Sequence, residues 1–175
     1  MKRLYLTAAA GALAFAGYAL AGPERVAFPD GYQQKFTRYL EVDRPDRKIV
    51  RFMYVNPEAN LAAKSAADIP DGTILIMEDH PAEVDASGTP RLTADGRLIA
   101  ADKVSAVFLM EKRKGWGDAF PADKRNGDWD YAVFNIDGTR RGDVKYEGCF
   151  SCHQSRDRRD FTFTYWKSVA DGANK

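Results

Sequence analysis

The residues best suited to chemistry lie in one short run, Cys149-Phe150-Ser151-Cys152-His153. It holds both cysteines of the 175-residue chain and one of its two histidines. C-x-x-C-H is the attachment motif of c-type haem. Two thiols one helical turn apart reach the two vinyl groups on one edge of a porphyrin. The following imidazole then projects beneath the iron as its proximal ligand. Three other readings of the run stay open at this point. They are a disulfide in an oxidising compartment, a thioredoxin-like redox pair and a zinc site. The redox pair belongs near the start of a βαβ unit, whereas this run lies near the C-terminal end. A zinc site lacks a second ligand cluster, since His80 is the only other histidine.

The other face of such an iron decides what the protein does. A strong sixth ligand makes an electron carrier, and an open face binds and activates small molecules. The side chains able to serve are Met53, Met77, Met110 and His80. Each methionine has an ordinary place in a core. His80, in Glu78-Asp79-His80-Pro81, reads as an exposed turn residue.

The rest of the chain must position these groups. Met1-Lys2-Arg3, the apolar run 4–20 and Ala19-Leu20-Ala21 form the three parts of a cleavable secretory signal over residues 1–21; a membrane anchor is the alternative. Cleavage turns a formal charge of +1 into −1. The expected setting is a bacterial periplasm, with no membrane attachment after cleavage. The charge balance gives no case for nucleic acid. Hydrophobic residues at 45% indicate a globular chain, read as one domain over 22–175.

Tyr32, Phe36, Tyr39 and Leu40 recur at helical spacing, which predicts a helix from Pro29-Asp30 through Val42. Strands are expected over 48–55, 73–78, 103–112 and 128–136, and a second helix over 57–67. Alternation sets Thr73, Leu75 and Met77 on one face and Ile74, Ile76 and Glu78 on the other. Asp95-Gly96 marks a hairpin between Arg91-Leu92 and Leu98-Ile99. Trp129 and Tyr131 share a strand face, as core or haem-packing residues. Arg156, Arg158 and Arg159 form a local basic patch, read as a solvated face. Four to six strands and two or three helices give an α+β fold with an antiparallel sheet.

Five segments carry a resemblance. They are Phe28-Pro29-Asp30-Gly31-Tyr32, Met53-Tyr54-Val55-Asn56-Pro57, residues 70–78 (PDGTILIME), residues 126–131 (NGDWDY) and Cys149 to His153. In this order and spacing the chain resembles the cytochrome P-460 family of periplasmic c-haem proteins. The resemblance implies an antiparallel sheet of about five strands flanked by helices, one covalent haem c, and a homodimer. It implies Cys149 and Cys152 as attachment residues and His153 as the iron ligand. It implies a small ligand or substrate such as nitric oxide or hydroxylamine, and a redox partner protein in the periplasm. In the hydroxylamine-oxidising members a lysine cross-links to the macrocycle, and by that alignment Met77 stands at its place. A thioether cannot form the same amine–carbon bond, which argues against efficient hydroxylamine oxidation. Asp143 is the nearest match to a distal catalytic carboxylate shortly before the haem motif, where it would accept protons. Arg51 reads either as a haem-propionate partner or as a surface arginine. The competing function is electron transfer with Met77 as sixth ligand.

Overall fold

The computed structural model describes residues 23–63, 65 and 67–172; the expected signal, residues 1–21, lies outside the described residues. Five antiparallel strands form a meander in which each pairs with the next. They are β1 (Thr37–Arg44), β2 (Ile49–Val55), β3 (Ile74–Pro81), β4 (Ala106–Lys112) and β5 (Trp129–Phe134). Four short helices accompany them: α1 (Tyr32–Lys35), α2 (Pro57–Ala62), α3 (Glu147–Gln154) and α4 (Tyr165–Ala170). The α+β class with a five-stranded antiparallel sheet is therefore present.

The helix expected over 30–42 is not. Gly31 enters α1 with φ 71, and α1 ends at Phe36, whose backbone is already extended. Residues 37–44 then pair with β2 along their whole length, with one irregularity between Arg38 and Leu40. Apparent helical spacing misled because the four apolar residues never share a stripe. Tyr32 and Phe36 pack on one face of the sheet, and Tyr39 packs on the other. Ladder pairing and two-sided burial outweighed local periodicity.

The expected strands 48–55, 73–78, 103–112 and 128–136 all exist with shifted ends, and the second helix stops at Ala62. The largest change concerns β3, which continues through Asp79 and His80 to Pro81. His80 is consequently a buried strand residue and not a turn residue. The hairpin falls where expected, bridging Leu92 to Leu98, with Gly96 at φ 83 in its turn.

Register assigns the faces. Val55, Leu75, Met110 and Tyr131 lie in one cross-strand row, buried beneath α3 and α4 with Trp129 and Tyr165. On the opposite face Tyr54, Ile76, Leu109 and Ala132 pack against Val26 and Tyr32. The N-terminal segment is thus one cover of the sheet, and α3 and α4 belong to the other.

Candidate functional site

α3 carries the Cys149–His153 run, and helical geometry directs Cys149, Cys152 and His153 to one side of it. Cys149 packs against the Leu75–Met110–Tyr131 row, whereas Cys152 is exposed, and both are free thiols. Burial pushes the Cys149 thiol pKa up. Phe150 packs edge-on to Tyr131, with ring centroids 4.8 Å apart. Asn126, fully buried, donates to both the Tyr131 hydroxyl (2.8 Å) and the Phe150 carbonyl (3.0 Å). This amide ties the helix to β5.

His153 is held more tightly than its neighbours. Its Nδ1 lies 2.6 Å from the Phe161 carbonyl oxygen. A carbonyl can only accept, so Nδ1 carries the proton and donates, leaving the Nε2 lone pair available. The ring stands 5.0 Å from Tyr131 and 5.0 Å from Phe163. Burial lowers the His153 pKa, the Arg156 charge adds to this, and the Phe161 carbonyl opposes it. A neutral imidazole with Nε2 free is the form that ligates a metal.

Asp160 places that carbonyl. It is buried in the left-handed region at φ 44, and Phe161 follows at φ 57. The Asp160 carboxylate accepts from the Ile69 N–H (2.8 Å), the Lys112 ammonium (2.7 Å) and the Trp129 indole (3.1 Å). Three distant elements therefore meet on one carboxylate, and they fix two backbone residues that L side chains seldom adopt. Sequence reasoning missed Asp160, which looked like one more charge in a polar stretch. Its one signal was a place between the haem motif and an aromatic run.

The second part of the site is a gap in burial. In β3 Met77 is the only half-buried residue between buried neighbours, and in β4 Phe108 is likewise. The two are directly paired, and Met53 is paired to Met77 on the other side. Alternation puts all three on the face of Leu75 and Met110, the α3 face. Leu40, opposite Met53, extends the row with 36% of its surface exposed. A contiguous apolar row across β1 to β4 marks a surface that binds something apolar.

The remaining candidates separate. Met110 is buried within the core row. Arg51 lies on the α3 face beyond Met53, and its guanidinium forks onto Asp79 at 2.8 and 3.3 Å. Asp143 sits in a loop with its side chain 77% exposed, 3.8 Å from the Arg141 guanidinium. His80 faces the opposite side of the sheet. There its Nδ1 meets the Ala101 carbonyl at 2.9 Å and its Nε2 meets Glu78 at 3.1 Å. Both nitrogens face acceptors, so the ring is an imidazolium. Burial alone would lower its pKa, but the Glu78 and Ala101 contacts outweigh this and raise it. A cavity of about 530 Å³ lined by Phe120, Tyr146 and Phe150 also lies away from the thiols, on the far side of α3.

The cytochrome P460 family model matches residues 29–164, from before α1 to the start of α4. The chain belongs to the cytochrome P460 family. It is accordingly a cytochrome, and its cofactor is a haem. No curated protein matches the chain. The residues present fit such a group: a neutral, oriented imidazole, two unpaired thiols on the same side of one helix, and an apolar row on the adjoining sheet face.

Proposed function

We propose that this cytochrome P460 protein is a periplasmic mono-haem cytochrome c that binds or redox-transforms small nitrogen oxides, nitric oxide or hydroxylamine among them, at an open or weakly closed distal site. Cys149 and Cys152 hold the haem by two thioether bonds, and His153 ligates the iron through Nε2. The haem supplies a one-electron couple and a position for a small ligand. The protein supplies everything else. Burial keeps the imidazole neutral, the Phe161 carbonyl fixes its orientation, and Asp160 keeps that carbonyl in place. Met53, Met77 and Phe108 exclude water along the sheet face.

One observation carries the open-site reading. The row Leu40–Met53–Met77–Phe108 on the α3 face offers no nitrogen donor, and the second histidine of the chain is turned away and bound at both nitrogens. Thioether sulfur is the strongest donor that row presents. The apolar run and Ala19-Leu20-Ala21 support export. The family resemblance supports the nitrogen-oxide class and a homodimer.

The test is an absorption spectrum of the purified ferrous protein with and without carbon monoxide or nitric oxide. The expected result is a shifted Soret band with either gas. A sharp six-coordinate spectrum that ignores carbon monoxide overturns the open site. If Met77→Ala then restores gas binding, Met77 is the sixth ligand and the protein is an electron carrier. A pyridine haemochrome with two thioethers, lost in Cys149→Ser/Cys152→Ser, checks the attachment.

A further inference from the structure

Most arginines among the described residues stand within 4.0 Å of a carboxylate. Arg140, Arg156, Arg158 and Arg159 do not. Arg140 is turned inward, donating to the Val26 carbonyl at 2.6 Å. The other three follow α3 directly and lie within seven residues of the exposed Cys152.

Neither acid in the same segment pairs with these guanidinium groups. Asp157 turns its carboxylate to the backbone N–H of Arg158 at 2.7 Å. Asp160 is buried among Lys112, Trp129 and Ile69. Two of the guanidinium groups are also braced on aromatic faces, Arg156 over Phe163 at 4.6 Å and Arg159 over Trp166 at 4.3 Å. Stacking in this way holds the exposed Arg159 guanidinium at the surface while leaving its N–H edges available for carboxylates, whereas Arg156 is half-buried with its Nε enclosed, so Arg158 and Arg159 present the charge of the patch. Phe163 in turn touches the His153 ring, so the patch adjoins the candidate iron ligand.

We infer that the Arg156–Arg158–Arg159 surface is the docking face for an acidic one-electron carrier protein. The inference rests on the haem reading above. With a chain of formal charge near zero, the attraction is local to this patch, which orients a carrier's carboxylates toward the Cys152 edge. One electron passes from the ferrous protein to the carrier, and no bond or proton moves with it.

The experiment is stopped-flow oxidation of the reduced holoprotein by ferricyanide, an anion, and by tris(phenanthroline)cobalt(III), a cation. Ferricyanide takes one electron to give ferrocyanide and the ferric protein. The ferricyanide rate constant should fall with added salt. Arg158→Gln/Arg159→Gln should lower it by about 3- to 10-fold at low salt, while the cobalt reagent reacts as fast or faster. Poly-L-glutamate should slow the ferricyanide reaction of the unmodified protein and leave the variant unaffected. Equal effects on both reagents, or poly-L-glutamate inhibition that survives in the variant, overturn the docking face. A protein without a pyridine haemochrome would instead overturn the haem reading, so the two failures are distinguishable.

Discussion

The two faces of the sheet are built from the same strands, yet the centres of the two faces differ in kind. On the N-terminal face Glu78 is fully buried, and every donor around it converges on its carboxylate. Gln33 donates at 2.6 Å, Tyr54 at 3.0 Å and His80 at 3.1 Å, and the Tyr32 hydroxyl completes the set. Burial would raise the Glu78 pKa, but these hydrogen bonds prevail and lower it. Burial, helped by Glu78, raises the Tyr32 hydroxyl pKa. One residue earlier in the same strand, Met77 looks out from the α3 face among apolar neighbours with no such network. A face whose central carboxylate is met by four donors is finished at its centre as a structure. A face that leaves large apolar side chains half-buried in mid-sheet is finished only by something that covers them.

The comparison can be broken at three points. Glu78→Ala carries the largest expected effect. It leaves the His80 imidazolium and two tyrosine hydroxyls buried without their acceptor, and removing one partner of a buried pair costs about 3–5 kcal/mol. Urea unfolding followed by circular dichroism measures it; a loss below about 1 kcal/mol would mean that this face is not held by its network.

The second point is pH. Glu78 has a folded pKa below its ordinary 4.5, so its stabilisation is present above 4.5 and is lost as pH falls through the lowered value. His80 has a folded pKa above its ordinary 6.5, so its stabilisation is present below 6.5 and is lost as pH rises through the raised value. The pair therefore contributes most between pH 4.5 and 6.5. Thermal unfolding across pH should show Tm falling on both sides of that window, and His80→Gln should flatten the alkaline side. A Tm rising steadily through pH 8 would contradict the assignment.

The smallest stability effect is expected on the α3 face. Met53→Leu/Met77→Leu conserves volume and removes no hydrogen bond, so it should cost less than about 1.5 kcal/mol. The same double variant should nevertheless shift the haem absorption spectrum, because both side chains lie in the row assigned to the cofactor. A large stability loss with an unchanged spectrum would place these methionines in the core and not at the site.

Some of this was legible before folding. The strands expected over 48–55, 73–78, 103–112 and 128–136 announced themselves through β-branched and aromatic runs, and period-two alternation put Met77 with Leu75 correctly. The helix through Val42 failed because Tyr32, Phe36, Tyr39 and Leu40 mimic a helical stripe, whereas their burial is divided between two faces. His80 was misread as a turn residue, although Pro81 closes the strand and its carbonyl still accepts from the Ala101 N–H at 2.9 Å. The roles of Asp160 and Asn126 were not legible, since Lys112 and the Phe150 carbonyl, which give them those roles, lie 48 and 24 residues away in sequence.

By itself the sequence determined the candidate attachment and ligand groups. Cys149, Cys152 and His153 are set by a five-residue spacing, and covalent geometry on one helical turn needs nothing further. The tertiary structure decided everything that depends on long-range contact. It chose which histidine is free and which is bound, because the proton on His153 Nδ1 answers to a carbonyl eight residues away and His80 answers to Glu78 and Ala101. It also decided that Met53, Met77 and Phe108 stand side by side, because a row across a sheet exists only once the strands are in register.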